Sequence, residues 1–311
     1  MLEYSMSNFY KKIISKAQNL NKKIILLESD VDQRVEQAAQ EIENNSIAKI
    51  ILLEKSEYFT DSKLKNELAT QLFELRKEKG LTLQEAQKLI NDPFYLGTMM
   101  VKQGLADGLV GGSASPTPRF LKPTLQILRI KNKYASAFFF MSNEQKTFIF
   151  ADCAINPDPD VQQLADIALD SANSFLNLVQ ETPKVAMLSY STKGSSTSES
   201  ITKVQQATDL VKQRNPNLLI DGEIQLDAAL LPDTAQLKCP NSPLKGDANI
   251  LIFPDLNAGN IGYKLAKIFG NLSAFGPIVQ GLQKPVNDLS RSSSIQDIVG
   301  VVAITAIQSS K

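Results

Sequence analysis

The tightest constraint on the fold is a rhythm: short apolar runs of strand length alternate with longer segments of helical period. "KIILLE" (23–28) reads as a strand, and "DVDQRVEQAAQEI" as the helix after it, capped by Asp30. "KIILLE" recurs at 49–54 as a second strand, and Leu64, Leu68, Leu72 and Leu75 then follow on one helical face. "ADGLVGG" (106–112) reads as strand and turn, and "TPRFLKPTLQIL" (117–128) as a helix. "SAFFFM" and "KTFIFAD", joined by "SNEQ", predict a hairpin that breaks the rhythm and marks a new sheet. Helices over 160–179, 199–213 and 259–269 then alternate with strands in "KVAMLSY", "NLLIDG" and "ANILIFPD". Such alternation implies an α/β fold with largely parallel sheets, in which ligands sit at the carboxyl ends of strands.

The 311 residues allow one large domain or two ordinary ones. Lys+Arg and Asp+Glu both count 33, so no net positive charge is available for nucleic acid or an anionic membrane. No apolar run reaches the length of a membrane span. The first twenty residues read as an amphipathic helix rather than a signal peptide. The two cysteines, Cys153 and Cys239, form no disulfide framework, and the cytoplasm is the expected compartment. Histidine is absent altogether. An enzyme built from this chain has no imidazole base, no Ser-His-Asp or Cys-His machinery and few ways to hold zinc. Its base must be a carboxylate, a lysine, a tyrosine or the substrate itself.

Several stretches could carry chemistry. In "NDLSRSSSIQD" (287–297), Ser294 and Asp297 have the spacing of a capping box, and Ile295, Ile298, Val299 and Val302 continue as an apolar helical face. A capped helix accounts for the pattern. The same helix N-terminus beside Arg291 is also an anion site, with Ser290 as an oxyanion donor and Asp297 as a base. The loop "SYSTKGSS" lacks the P-loop order, yet Ser191, Thr192, Lys193 and Gly194 offer hydroxyl, ammonium and backbone donors at a strand end. "FPDLNAGN" places Asn257 and Asn260 at a strand-to-helix turn, where turn chemistry favours them for local reasons. "LRKEKG" puts Arg76 near a helix end closed by Gly80, where cations suit the dipole. Arg119 and Lys122 stand at a helix start, where the dipole disfavours cations, and this hints at an anionic partner.

Taken together, "DPFYLGTMMVKQGLADGLVGG", "MLSYSTKGSS", "DGEIQLDAAL", "ANILIFPDLNAGNIGYK" and "GPIVQGLQKPVNDLSRSSSIQDIV" resemble the phosphate acetyltransferase family, whose relatives include phosphate butyryltransferase. The resemblance implies two α/β domains with largely parallel sheets and an active-site cleft between them, an isocitrate/isopropylmalate dehydrogenase-like architecture. It implies a discontinuous first domain, 1–133 plus 279–311, and a second at 134–278. It also implies reversible acetyl transfer between acetyl phosphate and coenzyme A through a ternary complex. The partners are then coenzyme A or acetyl-CoA, acetyl phosphate, inorganic phosphate and a second subunit. Coenzyme A is a substrate, and neither a bound cofactor nor a metal is expected. By resemblance Asp297 takes the thiol proton, Arg291 binds the acyl phosphate, Ser290 steadies the oxyanion, and Arg76 holds anionic ligands. One departure stands out. Where the family has an H-S-T-x-D-T-x-R-P sequence, this chain has "SPTPRFLKP", so Lys122 takes the arginine's place and loses its bidentate fork. Arg119, one turn earlier, could supply it. Transfer of a longer acyl group, a coenzyme-A-binding regulatory module and a metal-dependent decarboxylating dehydrogenase are the alternatives. The last would need a nicotinamide site, and no G-x-G-x-x-G is present.

Overall fold

The computed structural model describes residues 7–131 and 133–310. The chain forms two compact units. A four-stranded unit takes Tyr10–Ala135 and Phe275–Lys311, and a hairpin unit takes Ser136–Ala274 with the chain up to Phe9.

The chain opens with α1 (Asn8–Gln18), which covers the described part of the expected N-terminal helix. The alternation follows as β1 (Lys23–Leu26), α2 (Gln33–Asn44) and β2 (Lys49–Leu52). Next come the short α3 (Glu57–Thr60), then α4 (Ser62–Arg76), α5 (Leu83–Leu89) and α6 (Pro93–Lys102). β3 (Gly108–Gly111) and α7 (Thr117–Leu128) complete the first pass. The cap of α2 is Asp32, not Asp30: the N–H groups of Val31 and Asp32 both close back on the Glu28 carbonyl, and this turn delays the helix by two residues.

The aromatic hairpin forms as expected, with β4 (Ser136–Ser142) antiparallel to β5 (Thr147–Ala151). The hairpin unit continues through α8 (Val161–Leu178), β6 (Lys184–Leu188), α9 (Glu199–Arg214) and β7 (Leu219–Ile224). Two short helices, α10 (Leu226–Leu230) and α11 (Pro232–Lys238), precede β8 (Ile250–Ile252) and α12 (Leu256–Phe269). The sheet order is β7-β6-β8-β5-β4-β9, where β9 (Ser273–Gln280) starts in this unit and carries the chain back to the other. The pairs β5/β8, β6/β8 and β6/β7 are parallel. Phe139, Phe150, Leu251 and Phe253 belong to a core cluster of the hairpin unit, with Tyr263 stacked on Phe139.

β10 (Val286–Asp288) and α13 (Ile295–Gln308) finish the chain. The four-stranded sheet runs β10-β3-β1-β2 with every pair parallel. Ile24, Ile25 and Leu26 in its interior are fully buried. α13 is buried from Asp297 to Ile307, as an all-round apolar helix must be, and packs on α2 and β3. Buried Asn287 ties β10 to this helix: its amide donates to Thr305 Oγ1 at 2.8 Å and Gln308 Oε1 at 2.7 Å, while its Oδ1 accepts from the Val279 N–H. No helix among the described residues is long and apolar enough to cross a membrane.

Candidate active site

At the carboxyl edge of the four-stranded sheet, the loops after β1, β3 and β10 meet. Glu28, just past β1, is buried and adopts a positive φ. Its Oε2 accepts from the Gly112 N–H at 2.7 Å, the Ala114 N–H at 3.2 Å and the Ser113 hydroxyl at 3.3 Å. Asp288 ends β10 and is also buried, and neither of its oxygens reaches full hydrogen-bond geometry. Burial pushes its carboxyl well above the usual range, against the favourable Thr117 hydroxyl and Leu289 N–H, and the charge of Glu28 pushes the same way. Gly112 stands against Asp288 with φ at +93°, so a side chain there would be both strained and crowded.

The loop after β10 carries the predicted catalytic residues. Ser290 is half-buried and its hydroxyl lies 2.9 Å from that of Ser292. Arg291 is exposed, and among the described residues its guanidinium has no carboxylate partner. Ser294 caps α13 as expected: its hydroxyl accepts from the Asp297 N–H at 3.1 Å, and Asp297 Oδ2 accepts from the Ser294 N–H at 3.0 Å. Asp297 is therefore a structural cap at 8% exposure, with a carboxylate fixed in the first turn. Tyr10 on α1 lies close enough to feel it. Burial, with the charges of Glu41 and Asp297, pushes that phenol up to about 12, so it stays neutral.

Arg34 is a residue that sequence reasoning passed over. It forms a bidentate pair with Asp32 and donates to the carbonyls of Arg291, Ser293 and Ser113. Burial opposes charge on Asp32, but the hydrogen bonds of Arg34 and Ser113, with the charge of Arg34, outweigh it and hold the carboxyl below its usual range. The only sequence signal was "DQR", an acid two residues before an arginine at a helix start.

The other basic candidates of this unit gather around α7. Arg76, in the last turn of α4, donates to the Gln126 carbonyl on α7 at 2.9 Å. Arg119 stacks over Phe94 at 4.8 Å and lies 3.9 Å from Asp92, the cap of α6. Lys122, one turn on, is exposed without an ion pair among the described residues. Pro116 caps α7 without a side-chain hydrogen bond, and its carbonyl accepts from the Arg119 N–H at 2.9 Å.

In the hairpin unit, the remaining candidates sit at the carboxyl edge of its sheet. Ser191 is fully buried, and its hydroxyl donates to Glu223 at 3.0 Å. The Gly194 N–H reaches the same carboxylate at 2.7 Å, and the Gln205 amide does so at 2.8 Å. Burial opposes the charge of Glu223, but these three donors prevail and hold its carboxyl below the usual range. Thr192 exchanges hydrogen bonds with Gln225. Lys193 pairs with buried Asp221. The donors of this loop are thus largely engaged inside the unit, by acids that adjacent β7 supplies. Asn260 donates to the Cys153 carbonyl at 3.1 Å, while Asn257 stays exposed in the first turn of α12. Asp152 collects four N–H donors from residues 154–156, and burial still pushes its carboxyl up. Among the described residues, no group of three or more His, Cys, Asp or Glu could hold a metal ion.

Comparison with known proteins matches this architecture over nearly its whole length. The family model described as "Phosphate acetyl/butaryl transferase" matches residues 8–306. A phosphate acetyltransferase of Thermoanaerobacterium thermosaccharolyticum is 45% identical, over 96% of this chain and 98% of the relative. The EutD phosphotransacetylase structure from Staphylococcus aureus superposes with a TM-score of 0.85 at 41% identity, covering 98% of this chain and 99% of the other. A phosphotransacetylase from Streptococcus pyogenes gives 0.87 at 39% identity, over 97% and 98% of the two chains. The chain belongs to the phosphate acetyl/butaryl transferase family.

Proposed function

We propose that this chain is an acyltransferase that moves an acetyl group reversibly between acetyl phosphate and coenzyme A. The observation that carries the reading is the loop after β10. It sets Ser290, an exposed Arg291 without an acid partner among the described residues, and the fixed carboxylate of Asp297 within eight residues at a helix N-terminus. Similarity to enzymes named phosphate acetyltransferase, at 45% identity, favours acetyl over longer acyl groups.

In the proposed ternary complex, the sulfur of coenzyme A attacks the acetyl carbonyl carbon. A C–S bond forms, the C–O bond to phosphate breaks, and inorganic phosphate leaves. Asp297 receives the thiol proton as the sulfur attacks. Arg291 offsets charge on the phosphoryl oxygens, and the Ser290 hydroxyl donates to the tetrahedral oxyanion. A thiol of pKa about 8.5 giving its proton to an ordinary carboxylate faces a gap of about 4 to 5 units, roughly 5–7 kcal/mol. An activated acyl donor and fixed geometry can absorb that, since positioning alone is worth roughly 7–11 kcal/mol. Arg76, Arg119 and Lys122 are proposed to hold the anionic parts of the substrates. Exposed Lys193 and Asn257 are proposed contacts from the hairpin unit, with Ser191, Thr192, Gly194 and Asn260 shaping their loops. The two units are proposed as domains of a homodimeric enzyme, and the free buried cysteines support a reducing, cytoplasmic setting.

Acetyl phosphate and butyryl phosphate offered separately with coenzyme A, with loss of free thiol followed, test the reading. Faster consumption with acetyl phosphate is expected. No consumption with either would end the enzyme assignment, and a preference for butyryl phosphate would end the acetyl assignment.

A further inference from the structure

Among the side chains around the proposed site, Arg34 makes the most connections and has no assigned task. A guanidinium has five N–H donors in a rigid planar fork. All five are used here. Nε donates to Asp32 Oδ1 at 2.9 Å and Nη2 to Asp32 Oδ2 at 2.7 Å, so the acid fixes the plane. The second Nη2 hydrogen reaches the Ser113 carbonyl at 3.1 Å. Nη1 reaches two more carbonyls, Arg291 at 3.1 Å and Ser293 at 2.7 Å. These three carbonyls lie in loops outside helices and strands; the bonds to Ser113 and Ser293 are part-buried, where a C=O needs a donor from elsewhere, and the bond to Arg291 is exposed. One side chain therefore joins the starts of three segments: α2, the loop after β3, and the loop after β10.

The placement along the last loop is specific. The two bonded carbonyls belong to Arg291 itself and to Ser293, the residue before the cap of α13. Ser290 precedes this clamp, and Asp297 follows it within the next turn. Asp32 neutralises Arg34, so the guanidinium can hold the backbone of Arg291 without competing with the Arg291 side chain for an anion. A lysine could match the charge but not the planar set of five bonds.

We infer that Arg34 is a positioning residue of the acyl-transfer site, acting through the backbone of Arg291 and Ser293 to hold the Ser290–Asp297 segment in its reactive arrangement. The inference rests on the proposed roles of Ser290, Arg291 and Asp297. Loosening a catalytic segment by about 1 Å costs on the order of 100-fold in turnover, and Arg34→Ala is expected to lower kcat by about that factor.

Arg34→Ala, Arg34→Lys and Arg291→Ala are compared in the thiol assay, with thermal melting of each. Both Arg34 variants are expected to lose kcat while KM for coenzyme A stays near that of the native enzyme. Guanidinium chloride at low, non-denaturing concentration is expected to restore part of the kcat of Arg34→Ala, and sodium chloride at equal concentration is not. If Arg34→Ala does not fold, Arg34→Lys decides, because its loss of kcat must then appear at a native melting temperature. Native kcat in a folded Arg34 variant, or a loss that only tracks melting, overturns the inference. Native turnover in Arg291→Ala instead overturns the underlying site assignment. An impaired Arg291→Ala beside a fully active Arg34→Ala overturns the role of Arg34 alone.

Discussion

Asp297 joins two duties in one carboxylate, since the oxygen that caps α13 belongs to the group proposed to accept the thiol proton. Asparagine can keep the cap but cannot take a proton. Asp297→Asn is therefore expected to melt like the native protein while kcat falls by about 100-fold or more, with KM little changed; native turnover in the thiol assay would remove Asp297 as base. Asp288 shows the opposite balance, a buried acid with little compensation. Its carboxyl binds protons more tightly in the folded state than in the unfolded chain. Stability from this group is thus present below the ordinary carboxylate pKa and is lost as pH rises toward the elevated folded value. Asp288→Asn is expected to raise the melting temperature at pH 8 and to lose that advantage near pH 4. Equal melting of the two proteins at pH 8 would show that the buried acid costs nothing. The sequence marked Asp297 through its spacing from Ser294. It gave no sign of Asp288 and only the "DQR" spacing for Arg34, since the significance of both depends on neighbours far along the chain.

At the scale of elements, the capping box of α13 sets where the helix begins and how Asp297 is held. Ser294→Ala removes the acceptor for the Asp297 N–H. A loss of about 1 kcal/mol in chemical denaturation is expected, together with a fall in kcat smaller than that of Asp297→Asn. Unchanged stability would mean that burial alone defines the helix end. Helices and strands with a clear period, such as α2, α4, α8, α9 and β4–β8, were legible in advance. α6 was not, because Phe94 to Val101 are all buried and leave no polar face to reveal the period. β10 escaped notice for another reason. It has three residues, one of them a buried asparagine and one a buried acid, and only pairing with β3 makes it a strand.

At the scale of the molecule, the hairpin unit leaves an apolar face on α12 in the single chain. Ile261, Leu265, Ile268 and Phe269 are 57%, 50%, 72% and 83% exposed and fall on one side of the helix. A run of this kind marks an interaction surface, and the proposed homodimer is a fitting occupant. Ile268→Glu with Phe269→Glu is expected to convert a dimer to monomers in sedimentation at micromolar concentration. A native protein that sediments as a monomer there would exclude the dimer.

By itself the sequence determined the α/β class, the hairpin that interrupts it, the capped last helix and the family. Each of these is written in local period, local spacing or a run of adjacent residues. The tertiary structure decided which donors were already engaged. It turned the Ser191 hydroxyl and Gly194 N–H toward Glu223 and, among the described residues, left Arg291 and Lys122 without acid partners. It also gathered Asp32, Arg34, Ser113 and Arg291 at one sheet edge. Hydrogen-bond partners such as Arg34 and Ser293, 259 residues apart, leave no periodic trace in a chain, because parallel strands bring distant loops together only when the sheet is assembled.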